Sequence, residues 1–187
     1  MDISKLNQLS IEIHENALNK GFWDNVNLAE KAMLVISELS ECLEAHRKSK
    51  FADLNLFSKI VTQLNLDADG WNKNFEAYIK DSVEDELADA IIRCLDMLYY
   101  IEKPIENLKI NKIIFKEDNF AQMLLKCCSQ MSGIYDGQEA DFMAYRINVS
   151  LTRIFTLSEI LEIDIMKHVE LKMAYNKTRE RLHGKAY

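Results

Sequence analysis

LAEKAMLVISELSECLEAHRK, residues 28–48, decides the fold. The run contains neither Gly nor Pro, and Asn27 before it offers an N-cap oxygen. Its stretch Ala32–Ile36 is apolar without a break, so apolar surface goes nearly all the way round the helix. That predicts a central place in a helical bundle. Upstream, residues 3–19 carry Leu6, Leu9, Ile13 and Leu18 at helical spacing, and Gly21 ends the segment. Downstream, 51–80 is mixed, with a turn signal at Asp67-Ala68-Asp69-Gly70. Ser82, with Asp85 three residues later, opens a third helix that runs to about Ile101, ahead of Pro104. Residues 117–133 and 139–160 read as a helical hairpin broken at Gly133 and Gly137, and a last helix covers about 162–182. No segment shows a strand period, so the class is an all-α bundle.

Composition agrees. Gly and Pro number 5 and 1 among 187 residues, too few for a turn-rich β fold. Hydrophobic residues at 48% and charged residues at 28% exclude a disordered chain and allow a packed core in a single domain, 1–187. With 23 basic against 30 acidic residues the net charge is −7, which argues against nucleic acid bound through a basic face. A small polyanion remains admissible, because bound metal ions invert the local sign. The stretch MDISKLNQLSIEIHENALNK does not read as a signal peptide, and no apolar run is long enough to span a membrane. Cys42, Cys94, Cys127 and Cys128 form no CxxC and read as buried thiols in a reducing compartment, so a cytoplasmic location is expected.

The second and third helices each carry an acid pair: Glu38-Leu-Ser-Glu41 and Glu86-Leu-Ala-Asp89. Residues i and i+3 share a helix face, so two such pairs on facing helices put four carboxylates around one point. Hard divalent cations such as Mg²⁺ take that kind of oxygen shell. The stripe Ser82, Glu86, Asp89, Arg93, Asp96, Tyr100 mixes these acids with a cation and an aromatic. Spacing alone does not separate a metal site from a solvated acidic face. Thirty acids in 187 positions give roughly five i,i+3 pairs by chance, and Glu12/Glu15, Glu41/Glu44 and Glu159/Glu162 are others.

Three blocks carry a more specific pattern: GFWDN…LAEKAMLVISELSECLEAHRK (21–48), EDELADAIIRCLDM (84–97) and LEIDIMKHVELKMAYNKTRERLHGKAY (161–187). Together they resemble MazG-like nucleotide pyrophosphohydrolases, members of the all-α NTP pyrophosphatase superfamily that includes dimeric dUTPases and dCTPases. The family signature, ExxE on one helix and ExxD on the next, is matched by Glu38/Glu41 and Glu86/Asp89. The wording K-M-x-Y-N-K-T-R…H-G-K is matched from Lys172 through Lys185. Two departures stand out. The acid pairs are unusually far apart, and 102–158 intervenes before a turn that reads Leu161-Glu162-Ile163-Asp164, with Glu where Gly is common. The expected fold is therefore a MazG-like bundle with inserted segments at about 50–80 and 102–158.

The resemblance implies Mg²⁺-dependent hydrolysis of a nucleoside triphosphate to the monophosphate and pyrophosphate, with Mn²⁺ as a substitute metal, in nucleotide-pool house-cleaning. Glu38, Glu41, Glu86 and Asp89 would be both metal ligands and catalytic residues, with Glu41 favoured as base. Lys172, Asn176 and Arg179 follow i, i+4, i+7 on one face, with Tyr175 beside them, and are candidate substrate contacts. Lys185 in the tail is another. Arg93 would orient a carboxylate, touch phosphate or pair within its helix. Trp23 would stack on a base or anchor the core. A homo-oligomer, a dimer by preference, is expected from the relatives. The rival reading is a non-catalytic helical binding module of the same fold. Asn65-x-Asp67-x-Asp69-Gly70-x5-Glu76 resembles a calcium loop but carries Asn72 where an apolar residue is usual, and reads as a capped turn. His14 and His46 read as ordinary histidines.

Overall fold

The computed structural model describes residues 2–105 and 108–184. Among them are eight α-helices, three short 3-10 turns and no strand, so the chain is all-α. The helices are α1 (Ile3–Asn19), α2 (Leu28–Arg47), α3 (Leu54–Leu64), α4 (Ala68–Tyr78), α5 (Val83–Tyr100), α6 (Phe120–Cys128), α7 (Ala140–Ile160) and α8 (Ile165–Thr178).

Side-chain caps start them where the sequence supplies an oxygen. Asn27 accepts the Glu30 N–H at 3.0 Å, Ser82 accepts the Asp85 N–H at 3.2 Å, and Asp67 accepts the Gly70 N–H at 2.8 Å. The last of these makes the calcium-loop look-alike a capped start to α4, as the sequence suggests. Gly21, after α1, takes φ +80, and a Cβ there would meet the Arg181 guanidinium at 2.9 Å. Glu162, in the turn before α8, adopts φ 58, a left-handed conformation that explains why Gly suits this position.

The core is organised around α5, which packs against α1, α2, α7 and α8. Leu87, Ala88, Ala90, Ile91, Cys94 and Leu95 are fully buried along it. This corrects the expectation that α2 is the central helix: its Met33 is 59% exposed, so α2 is a flanking helix with one wet side. Leu18, expected on the buried face of α1, is also exposed. The segment 50–80 forms a helical hairpin whose Phe57, Phe75 and Ile79 bury against Leu171 and Tyr175 of α8. Its ends are tied by Asp53 N–H to Tyr78 O and Val83 N–H to Lys50 O. In the segment 102–158, α6 packs on α7 and α2, while α7 lies on α5. Cys42, Cys94 and Cys127 are buried free thiols, and burial pushes each above its ordinary pKa. None of the described helices is long and apolar enough to cross a membrane.

The last helix is shorter than expected. It stops at Thr178, and Arg179 follows in extended backbone, so Lys172, Asn176 and Arg179 do not all sit on one continuous helical face.

Candidate functional site

Packing of α2 against α5 brings Glu38, Glu41, Glu86 and Asp89 to the wall of one cavity of about 270 Å³. One carboxylate oxygen from each of Glu38, Glu41 and Glu86 lies within 4.8 Å of the other two. Asp89 does not complete the group. Its Oδ2 is 2.7 Å from Lys172 Nζ on α8, and the same ammonium is 2.7 Å from Asp85 Oδ2. The expected meeting of four carboxylates is thus corrected to three. The cause is that an ammonium only 4% exposed requires counter-charges, and Asp85 and Asp89, one turn apart on α5, supply them.

Lys172, expected as a substrate contact, does line the cavity, with its ammonium held by these two acids. Burial alone would lower its pKa, but Asp89 and Asp85 outweigh burial and hold it above the usual lysine range. Burial raises the Asp85 carboxyl to about 6, against the pull of Lys172. The Asp81 backbone N–H donates to its Oδ2 at 2.9 Å, while its Oδ1 is buried without a partner.

The three gathered acids differ. Glu38 is buried and receives the Arg93 guanidinium across the helix interface, Nε at 2.6 Å and Nη2 at 2.5 Å from one oxygen. Burial raises its pKa and Arg93 opposes the rise. Arg93 therefore orients a carboxylate on the neighbouring helix, not one on its own. Glu86 is 4% exposed, and among the described residues no cation is paired with it. Burial, followed by the charges of Asp89, Asp85 and Glu38, pushes its pKa to about 9. Glu41 is exposed and accepts the Ser37 hydroxyl at 3.1 Å. An all-oxygen set in which one acid is driven to keep its proton fits a hard divalent cation, which would neutralise the repulsion the proton now relieves.

The rest of the wall is mixed: the acids Asp81 and Asp96 lie among basic, amide and apolar side chains. Arg179 lines the cavity, with its guanidinium donating to the His183 carbonyl at 3.3 Å and lying 5.7 Å from the Tyr175 ring. Among the described residues it has no carboxylate partner. Asn176 also lines the cavity, is 8% exposed, and leaves its Oδ1 unpartnered. Ile13, Ala17, Phe22, Ile92 and Met97 supply apolar surface. His183 lines the cavity too; burial and the nearby Arg179 lower its pKa to about 4 and keep it neutral.

Two expected substrate contacts are elsewhere. Trp23 is buried, stacked on Tyr100 at 4.2 Å, and donates Nε1–H to Asp96 at 3.0 Å, so it anchors the core and offers no face to the cavity. Tyr175 stacks on Phe75 at 4.6 Å and donates its hydroxyl to Glu76 at 2.6 Å, which turns it toward α4. Lys185 lies outside the described residues. His14 is a buried partner of Asp96, its Nδ1 2.6 Å from Oδ1, and His46 stacks on Phe120 at 3.9 Å.

Sequence reasoning missed Asp85, Lys31, Lys80 and Asp81. Asp85 was legible as i−4 to Asp89, the spacing that lets one cation serve both, but its role as an N-terminal helix residue explained it already. Lys31 lines the cavity and donates to the Phe22 carbonyl at 2.5 Å, a tertiary contact without sequence signal. No family model, curated protein or solved structure matches the chain.

Proposed function

We propose that the chain is a Mg²⁺-dependent nucleoside triphosphate pyrophosphohydrolase of the MazG-like kind, releasing pyrophosphate and the monophosphate. The observation that carries the reading is one cavity holding three convergent carboxylates, Glu38, Glu41 and Glu86, beside a guanidinium, Arg179, that has no acid partner among the described residues. A triphosphate needs both: a cation cluster held by acids, and a fixed positive group on the far side of the phosphates.

Glu38, Glu41 and Glu86 would hold the metal, whose contribution is to polarise the phosphoryl group and to make a bound water nucleophilic near neutral pH. Arg93 fixes Glu38 in position. Glu41, the most exposed of the three, is placed to take the proton from the attacking water. Arg179 and Asn176 bind phosphate oxygens or the ribose hydroxyls. The apolar side formed by Ile13, Ala17 and Phe22 receives the nucleoside. The sequence resemblance adds weight to the same reading, as does the turn geometry at Glu162.

The test is pyrophosphate release from a panel of NTPs and dNTPs by folded protein, with Mg²⁺ and with EDTA. Metal-dependent release supports the reading. Absence of release from every nucleotide would move the assignment to a non-catalytic binding module.

A further inference from the structure

Asp89 is the second acid of its pair on α5, yet it is occupied by an ammonium from α8. Lys172 sits with Nζ 2.7 Å from Asp89 Oδ2 and 2.7 Å from Asp85 Oδ2, its side chain 5% exposed. The two acids are unequal. Asp85 is 1% exposed, outside the cavity wall, and further held by the Asp81 N–H. Asp89 lines the cavity next to Glu86 and is 18% exposed in its side chain. Asp85 also groups with Asp81 and Glu86, one oxygen of each within 4.8 Å of the others, but it is buried behind the wall, so a cation entering the cavity meets Asp89 first and Asp85 remains with the lysine.

We infer that Lys172 is a built-in counter-cation that occupies Asp89 until a divalent metal displaces it, with Asp85 as the post that retains the lysine afterwards. This rests on the metal site of the proposed function and goes beyond it by assigning Lys172 and Asp85 a positioning role. Before metal arrives, the ammonium offsets part of the negative charge that Asp89 adds beside Glu38 and Glu86. After displacement, Lys172 keeps one ion pair, with Asp85, and its remaining N–H donors are released beside Asn176, one helical turn along α8. A polyanion entering the cavity then finds a donor that the metal-free protein does not offer. Metal and anion affinity are coupled through a single side chain, and the coupling is reciprocal.

The test is Mn²⁺ binding to the full chain, read by electron paramagnetic resonance of the free ion, with no turnover involved. The informative variant is Lys172→Met/Asp85→Asn, which removes one charge of each sign and leaves Asp89, on the cavity wall, as the freed carboxylate. Net charge at the site is unchanged, so a general field effect predicts unchanged affinity. The inference predicts Mn²⁺ binding tighter by roughly tenfold, the scale on which an adjacent charge biases a carboxylate equilibrium. Lys80→Met removes a cation from the same wall without freeing Asp89, and is expected to tighten binding far less. Equal or weaker binding by the double variant, with circular dichroism showing it folded, overturns the inference and leaves the metal site standing. Should the double variant not fold, Asp85→Asn alone serves: it leaves Lys172 with Asp89 only, and unchanged Mn²⁺ affinity in place of the expected weakening overturns the inference. Failure of the wild-type chain to bind Mn²⁺ overturns the metal reading itself and this inference with it.

Discussion

Arg93 of α5 reaches across the helix interface to Glu38 of α2, placing Nη2 2.5 Å and Nε 2.6 Å from the same carboxylate oxygen. The pair joins the two helices that carry the acids, and it fixes the least exposed member of the α2 pair. Arg93→Met should cost about 2 kcal/mol of stability in metal-free protein, the range for a charged hydrogen-bonded partner lost from a mostly buried carboxylate. Urea denaturation with EDTA checks this. Added Mg²⁺ should restore part of the loss, because a cation would replace the missing guanidinium beside Glu38.

Glu86 gives a pH signature of stability. Its ordinary value is 4.5 and the folded site pushes it to about 9, so across that interval the folded chain holds a proton that the unfolded chain has released. Stability then falls as pH rises through the interval. Asp85, raised to about 6, acts in the same direction at the lower end. His168 and His183, both lowered by burial, give the opposite slope, but only below the ordinary histidine value of 6.5. Between pH 7 and 8 Glu86 is left to dominate; nearer pH 9 the cysteine thiols, raised by burial from their ordinary value of 9.0, add a fall in the same direction. Metal-free protein should lose Tm between pH 7 and 8, and Glu86→Gln or saturating Mg²⁺ should flatten the curve there. A flat wild-type curve in EDTA would mean that Glu86 is ionised without help.

Trp23 is a structural residue on this account. Trp23→Phe keeps much of the stacking on Tyr100 but loses the donor to Asp96, at an expected cost of about 1 kcal/mol. The order of preference among nucleobases should not change. Altered base ranking at constant stability would return Trp23 to the nucleoside site.

Arg179 is the guanidinium that phosphate is expected to meet. Arg179→Ala should weaken triphosphate binding by about ten- to a hundredfold, matching the worth of one charged hydrogen-bonding group. Competition by inorganic pyrophosphate is expected to weaken in parallel. Unchanged apparent affinity for both would remove Arg179 from the site.

Local chemistry made much of this visible in the sequence. Asn27, Ser82 and Asp67 cap the helices they precede, because a side-chain oxygen meets a backbone N–H only three residues away. The i,i+3 spacing placed Glu38 with Glu41, and Glu86 with Asp89, on shared faces for the same reason. What stayed hidden depends on which helix packs where. The diversion of Asp89 to Lys172 joins residues on α5 and α8, and no periodicity in either helix announces it. The central helix is α5 and not α2, since a broad apolar face on α2 is needed to cover both α5 and α6 without being enclosed. Trp23 could have faced ligand or core; the neighbours that decided it, Asp96 and Tyr100, come from a helix more than seventy residues later.

The central claim is that the α2–α5 carboxylates perform the hydrolysis. Pyrophosphate release from Mg²⁺–NTP should be measured side by side for wild type, Glu41→Gln, Glu86→Gln and Glu159→Gln, Glu159 being an exposed acid on α7 remote from the site in sequence and role. The account predicts release by wild type and Glu159→Gln, with a loss of at least roughly a hundredfold in the other two, the low end of acid–base contributions. Equal release from all four, or equal loss at Glu159, would contradict it.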